Sequence, residues 1–141
     1  MTAANRFIME RNCAAIARTI QHPASGIQIE GHTDLALDGR KFSGNAQYRK
    51  ARYVLVHGTF LVNFDLSMID RCLELPEKQP KYRANRPHLD FLLNLGLDPN
   101  RIRLGLRELW RAADRFDATL QEQIDRLVNL RYGREEWSSK F

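Results

Sequence analysis

Residues 34–60 read DLALDGRKFSGNAQYRKARYVLVHGTF, and their apolar positions alternate as in strands that bury one face. Asp38-Gly39 lies between two such runs, the commonest sequence signal for a two-residue hairpin turn. The spacing predicts residues 34–37 paired with 40–43. Residue 37 then opposes 40, 36 opposes 41, 35 opposes 42 and 34 opposes 43, and opposed side chains share a face. Leu35, Leu37 and Phe42 point into a core, whereas Asp34, Ala36, Lys41 and Ser43 point the other way together.

Residues 53–64, rich in valine, phenylalanine, tyrosine and threonine, read as a long strand bent at Gly58. Val54, Val56, Phe60, Val62 and Phe64 take one side, and Leu55, His57, Thr59 and Leu61 the other. If the polar faces of hairpin and strand line one cleft, a lysine, a carboxylate, hydroxyls and an imidazole meet there. Gly44 and Gly58 let the backbone approach a ligand closely. Such a cleft suits a phosphate or an activated acyl group. The plain alternatives are a surface Lys41–Asp34 ion pair of small energetic value and a strand histidine satisfied by its neighbours. The residues alone leave both open.

Outward from this stretch, residues 5–20 predict an amphipathic helix with Phe7, Ile8, Ile16 and Ile20 on its apolar stripe. The chain breaks at 23–26, and 27–30 is a short alternating strand. A short helix is expected over 66–75, followed by a proline-rich, basic stretch, 76–87, that reads as an exposed solvated loop. Asp98-Pro99 is an N-cap with proline at the first helical position, and Leu106, Leu109, Trp110 and Ala113 continue the helix. A last helix is expected over 119–131, with Leu120, Ile124, Leu127 and Val128 as its stripe and Gly133 at its end.

The 141 residues, 43% apolar and 28% charged, suit one soluble globular domain. The apolar runs are too short for a membrane span, and Arg6, Glu10 and Arg11 interrupt any signal-like start, so a cytoplasmic protein is expected. Cys13 and Cys72, far apart and without CxxC spacing, read as buried reduced thiols. The net charge of +5 suits an anionic partner such as nucleic acid, a nucleotide or an acidic carrier protein.

Residues 33–66, TDLALDGRKFSGNAQYRKARYVLVHGTFLVNFDL, resemble the central motif of the lipoate-protein ligase and octanoyltransferase family. That motif is an aspartate and alternating apolar positions, then G-(K/R)-K-(apolar)-(S/A)-G-(S/N)-A-Q and HGT followed by two apolar residues. NRFIMERN, LPEKQPKYR and RYGREEW resemble family segments in the same order. The resemblance implies an α+β fold, a partial biotin/lipoate protein ligase-like mixed sheet with a hairpin, a long strand, flanking helices and further C-terminal helices. It divides the chain into 1–97, the second portion of a catalytic domain, and 98–141, a helical extension packing on it.

The activity so implied is ATP-dependent conversion of lipoate or octanoate to an acyl-adenylate, then transfer to a lysine of a lipoyl-carrier domain of the dehydrogenase E2 or glycine-cleavage H type. By resemblance Lys41 is the catalytic lysine, contacting the acyl carbonyl and phosphate. Ser43, Gly44, Asn45, Ala46, His57, Gly58 and Thr59 border the acyl-adenylate, and Asp34 stands where a magnesium ion could bind. Neither SGN nor EGHTD holds the cysteine of thioester-using octanoyltransferases, which favours the adenylate branch.

The family's upstream half, with its RRxxGG-type segment, has no counterpart in these residues. The resemblance therefore implies a split subunit, a truncation or a relic, completed by a separate N-terminal half or by self-association. One rival reading is a non-catalytic accessory subunit that binds acyl-adenylate or carrier. A second is a small basic nucleic-acid-binding domain, but no recognised module is present and the aromatic residues are spaced for burial rather than stacking.

Overall fold

Asp38 and Gly39 both take positive φ, 49° and 73°, the conformation that a type I′ hairpin turn requires. They join β2 (Asp34–Leu37) to β3 (Arg40–Arg49) in the computed structural model of the chain, which describes residues 3–20, 26–113 and 120–140. With β1 (Ile27–Glu30) and β4 (Val54–Phe60) they form an antiparallel sheet in the order β1-β2-β3-β4. The expected α+β class holds. All four described strands run antiparallel, and one isolated parallel bridge links Lys41 to Leu92.

The hairpin register departs from the simple count. Leu37 faces Arg40 and Ala36 faces Lys41, but Leu35 then faces Ser43, leaving Phe42 as the extra residue of a bulge. The expected 35/42 and 34/43 pairings are thus corrected. Phe42 is fully buried and stacks on Phe60 at 6.3 Å. Beyond the bulge Ser43 shares the side of Leu35 and Phe60 rather than that of Lys41. β4 is shorter than expected and keeps its register through Gly58, so the bend is not seen. The glycine serves closeness: a Cβ there would lie 2.2 Å from the Asn45 side-chain oxygen.

On the apolar side of the sheet lies α1 (Ala3–Ile20), burying Met9, Ala15, Ile16 and Ala17 against Ile27, Leu35 and Phe42. The stripe runs through Met9 and Ile16, seven residues apart, which turns Phe7 outward, contrary to expectation. Phe7 instead meets Trp110 edge-on at 6.1 Å, with the Arg11 guanidinium over both rings. The Ile20 side chain, residues 23–25 of the expected break and residue 119 fall outside the described residues.

The helix after Asp98 starts as expected, with the Asp98 carboxylate accepting from Asn100 N at 2.9 Å, but it ends at Trp110, before Ala113. α2 (Leu66–Cys72) and α3 (His88–Phe91) come before this helix, α4 (Pro99–Trp110), which inserts Ile102 into the same core. α4 lies close against α1 where Gly105 would place a Cβ 2.7 Å from Thr19 Oγ1. Arg101 donates to Thr19 O, Trp110 Nε1 donates to Asn12, and Arg11 reaches Leu109 O.

Four expectations fail on burial. α2 ends at Cys72, which is exposed; both cysteines are free, and Cys13 is half-buried. The loop 76–87 is not simply solvated, since Arg83 is 4% exposed. α5 (Gln121–Leu127), continued by a π-helical turn Val128–Tyr132 and by α6 (Glu135–Ser138), leaves Leu120, Ile124, Leu127 and Val128 exposed. Tyr48 and Tyr53 are exposed too, against the expectation of aromatic burial. No described helix is long and apolar enough to cross a membrane.

Phe42→Ala should cost about 3–5 kcal/mol, the range for emptying a packed aromatic site, read as a lower denaturation midpoint in urea. Burial first, and the Glu10 charge second, push the Cys13 thiol up to about 11. At neutral pH, Cys72 should therefore take up maleimide first and Cys13 at least roughly a hundredfold more slowly, with Cys13 labelling accelerating toward alkaline pH. Peptide mass spectrometry measures both rates.

Candidate active site

Lys41 carries a charge that the sheet holds three-quarters withdrawn from water beside its counter-ion. Its Nζ lies 2.8 Å from Asp34 Oδ1, with the two side chains only 27% and 16% exposed. That is drier than the surface pair of the plain alternative. The strand ladder sets the meeting: Lys41 sits opposite Ala36 just before the bulge, and Asp34 opens β2 on the same side. The Lys41 stem lies over Gly44, where a Cβ would stand 3.4 Å from both its Cε and Nζ.

The other Asp34 oxygen, Oδ2, accepts from the Tyr82 hydroxyl at 2.8 Å. Burial, then this hydrogen bond, then the charges of Asp34 and Glu30 push the Tyr82 phenol well above its ordinary range, with Arg86 opposing. The ring lies 5.1 Å from Phe91, whose face also receives the Arg83 and Arg86 guanidinium groups at 4.7 and 5.4 Å. Arg86 donates to Tyr82 O and to Gly39 O in the hairpin turn, both at 2.8 Å, strapping the loop to the hairpin. Arg83 donates to Arg86 O and contacts His88 Nδ1 at 3.4 Å. A guanidinium can only donate, so Nδ1 accepts and the His88 Nε2–H points to Glu74 O. The backbone of Lys41 is held as well, its carbonyl accepting from Leu93 N at 2.9 Å.

A cleft of about 800 Å³ opens between residues 30–34 and 78–82, with Asp34 and Tyr82 in its wall and His32, Lys78 and Lys81 around it. The residues singled out from the sequence divide between the two faces of the sheet. Gly44 pairs with Thr59 and Ala46 with His57, which puts these four on the Lys41 side, with Ala46, His57 and Thr59 exposed. Ser43, Asn45 and Gly58 lie on the opposite side. There the Asn45 amide donates to Ser43 Oγ and Thr33 O, and Thr33 Oγ1 donates back to Asn45 O. This trio ties the β1–β2 turn to the centre of β3. Sequence reasoning missed Tyr82, Arg83 and Arg86, which sit in an irregular loop without periodicity to mark them.

Asp34, the residue that the resemblance associates with magnesium, is engaged by Lys41 and Tyr82. Each of its oxygens accepts one donor, Lys41 Nζ at Oδ1 and the Tyr82 hydroxyl at Oδ2. Among the described residues no group of three or more His, Cys, Asp or Glu could hold a metal.

The model of the lipoyl protein ligase A/B catalytic domain matches residues 3–92. The chain belongs to this family. It is 37% identical over 65 residues to a probable lipoate-protein ligase A of Mycoplasma pneumoniae, a match covering 46% of this chain and 18% of that protein. Its fold is similar to that of a bi-partite lipoate protein ligase from Thermoplasma acidophilum, studied with its E2 lipoyl domain. The TM-score there is 0.72 at 18% identity, over 96% of this chain and 57% of that one. A lipoate-protein ligase A bound with ATP matches with a TM-score of 0.61 at 19% identity, over 97% of this chain and 59% of that one. The chain thus spans little more than half the length of these solved structures and less than a fifth of the curated relative.

Because the folded state keeps the Tyr82 phenol protonated, its contribution to stability is complete below the ordinary tyrosine value of about 10 and fades as pH rises beyond it, the unfolded chain ionising first. The raised Cys13 thiol acts in the same direction from about 9 upward. Between neutral pH and about 11 the urea midpoint should therefore fall, and should fall less in Tyr82→Phe. Equal slopes in the two proteins would contradict the buried phenol.

Proposed function

We propose that the chain supplies the lysine-bearing part of a lipoate-protein ligase site, which converts lipoate or octanoate with ATP to an acyl-adenylate and passes the acyl group to a carrier lysine. The observation that carries this is the Lys41 ammonium, fixed at 2.8 Å from Asp34, whose carboxylate stands in the wall of the cleft. In the first step a carboxylate oxygen of the fatty acid attacks the α-phosphorus of ATP and pyrophosphate leaves. In the second the carrier amine attacks the acyl carbon, the amide bond forms, the acyl C–O bond breaks and AMP departs. Negative charge grows on the phosphate oxygens in the first step and on the carbonyl oxygen and then the departing phosphate in the second, and a partly desolvated ammonium is well suited to hold it. ATP and a lipoyl carrier are supported by the ATP-bound neighbour and by the neighbour studied with its E2 domain. Gly44, Ala46, His57 and Thr59 border the adenylate on the Lys41 side; Ser43, Asn45 and Gly58 act from behind, holding β3 in register. Asp34 anchors Lys41, and no step is routed through magnesium. A cytoplasmic setting and the role of 98–141 as a helical extension belong to the same reading.

The sheet favours a contributing partner segment, on the same polypeptide or another. β4 is an edge strand, and Tyr48, Tyr53, Val54 and Leu55 stand exposed at its end. A further segment there would close the acyl side of the site, and an accessory, non-catalytic role follows if none does.

The test incubates the chain, alone and with an RRxxGG-bearing half of a family member, with ATP, magnesium, lipoate or octanoate and a lipoyl domain, then weighs the domain. An added acyl mass is expected. Lys41→Ala should reduce its formation by roughly 10²–10³-fold, as when a single oxyanion donor is lost, with folding intact by circular dichroism. Turnover equal to that of the unaltered chain would remove Lys41 from the chemistry.

A further inference from the structure

We propose that Tyr82 is a positioning residue for Lys41, acting through the carboxylate of Asp34. The inference rests on the reading of Lys41 as the group that meets the acyl-adenylate, and it adds a residue from outside the hairpin motif to that site.

A lysine reaches its target on a flexible four-carbon stem, so the place of its ammonium is set by whatever it pairs with. Here the partner is Asp34 Oδ1, at 2.8 Å. A carboxylate, however, turns easily about its last torsion, which has broad rather than sharply staggered minima. One hydrogen bond therefore fixes neither group. The second bond does: Tyr82 Oη donates to Asp34 Oδ2 at 2.8 Å, so that the two oxygens are held from opposite sides and the plane of the carboxylate is defined.

Tyr82 is itself immobilised from two directions. Its ring packs at 5.1 Å on Phe91, and its carbonyl accepts from Arg86, which also donates to Gly39 O in the turn between β2 and β3. The contacts close a ring from Gly39 through Arg86, Tyr82 and Asp34 to Lys41, which lies two residues from where the ring began. The loop thus measures Lys41 against the turn of its own hairpin. Burial and the bond to Asp34 keep the phenol protonated far into the alkaline range, so the donor is retained there.

A simple packing role would depend on the ring, whereas this role depends on the hydroxyl, and Tyr82→Phe separates them. The first readout needs no activity: the Lys41 ammonium signal in ¹H–¹⁵N spectra of the chain at mildly acidic pH, assigned by its loss in Lys41→Ala. The unaltered chain should show a hydrogen-bonded ammonium. It should be broadened or shifted in Tyr82→Phe and absent in Asp34→Asn, while amide spectra report an unchanged fold. The second readout is acyl transfer in the complete system, where Tyr82→Phe should lower kcat roughly 10- to 100-fold, as for other partners that orient a functional side chain, with KM for lipoate little changed. No ammonium signal in the unaltered chain, or an identical signal and kcat in Tyr82→Phe, would overturn the proposal. Transfer absent from every protein, with the ammonium signal still responding to Tyr82→Phe, would sink the ligase reading and leave the anchoring of Lys41 standing.

Discussion

An ammonium three-quarters withdrawn from water needs a counter-charge, and much of this architecture serves to supply one in a fixed place. Lys41 and Asp34 lie on the two arms of the β2–β3 hairpin, and the type I′ turn at Asp38-Gly39 brings them to one face. The strap of residues 82–91 then covers that face and takes up the second Asp34 oxygen. Removing any of these would leave a charge partly buried without its partner, a larger cost than the pair contributes in net stability.

The bulge at Phe42 divides the labour along β3. Upstream of it, Lys41 faces the cleft side; at and beyond it, Phe42 and Ser43 turn to the core side, so one strand serves both the hydrophobic interior and the site without a conflict of register. Asn45 and Gly58 continue the core-side arrangement, with the asparagine amide lying where a side chain at 58 would have been. Four motif residues, Ser43, Gly44, Asn45 and Ala46, thus alternate between the two faces of the sheet, Ser43 and Asn45 on the core side and Gly44 and Ala46 on that of Lys41. A motif that reads as one binding wall is, in three dimensions, two walls back to back.

The exposed apolar groups carry a related message. Tyr48, Tyr53, Val54 and Leu55 gather at one end of the β3–β4 pair, at the free edge of the sheet, while the core between sheet, α1 and α4 is closed by Ile102 and Leu106. The chain is well packed on one side and open on the other. This is consistent with its spanning little more than half of the solved structures it resembles.

The alternation of residues 34–43 and the Asp-Gly pair were enough to determine the hairpin, its two-residue turn and the common face of Lys41 and Asp34, because these depend on local pitch and on φ preferences carried by the residues themselves. The N-cap at Asp98 was legible for the same reason. The bulge was not, since it arises from the gain of burying Phe42 against Phe60, eighteen positions further along the chain. Nor were the outward turn of Phe7, the exposure of Cys72 and the burial of Arg83, each decided by which distant surface happens to lie opposite. Tyr82 belongs to that group. Nothing in a proline-rich basic loop marks one tyrosine as the partner of a carboxylate 48 positions away; only the folding of that loop over the hairpin, held by Arg86 and Phe91, brings the hydroxyl to it.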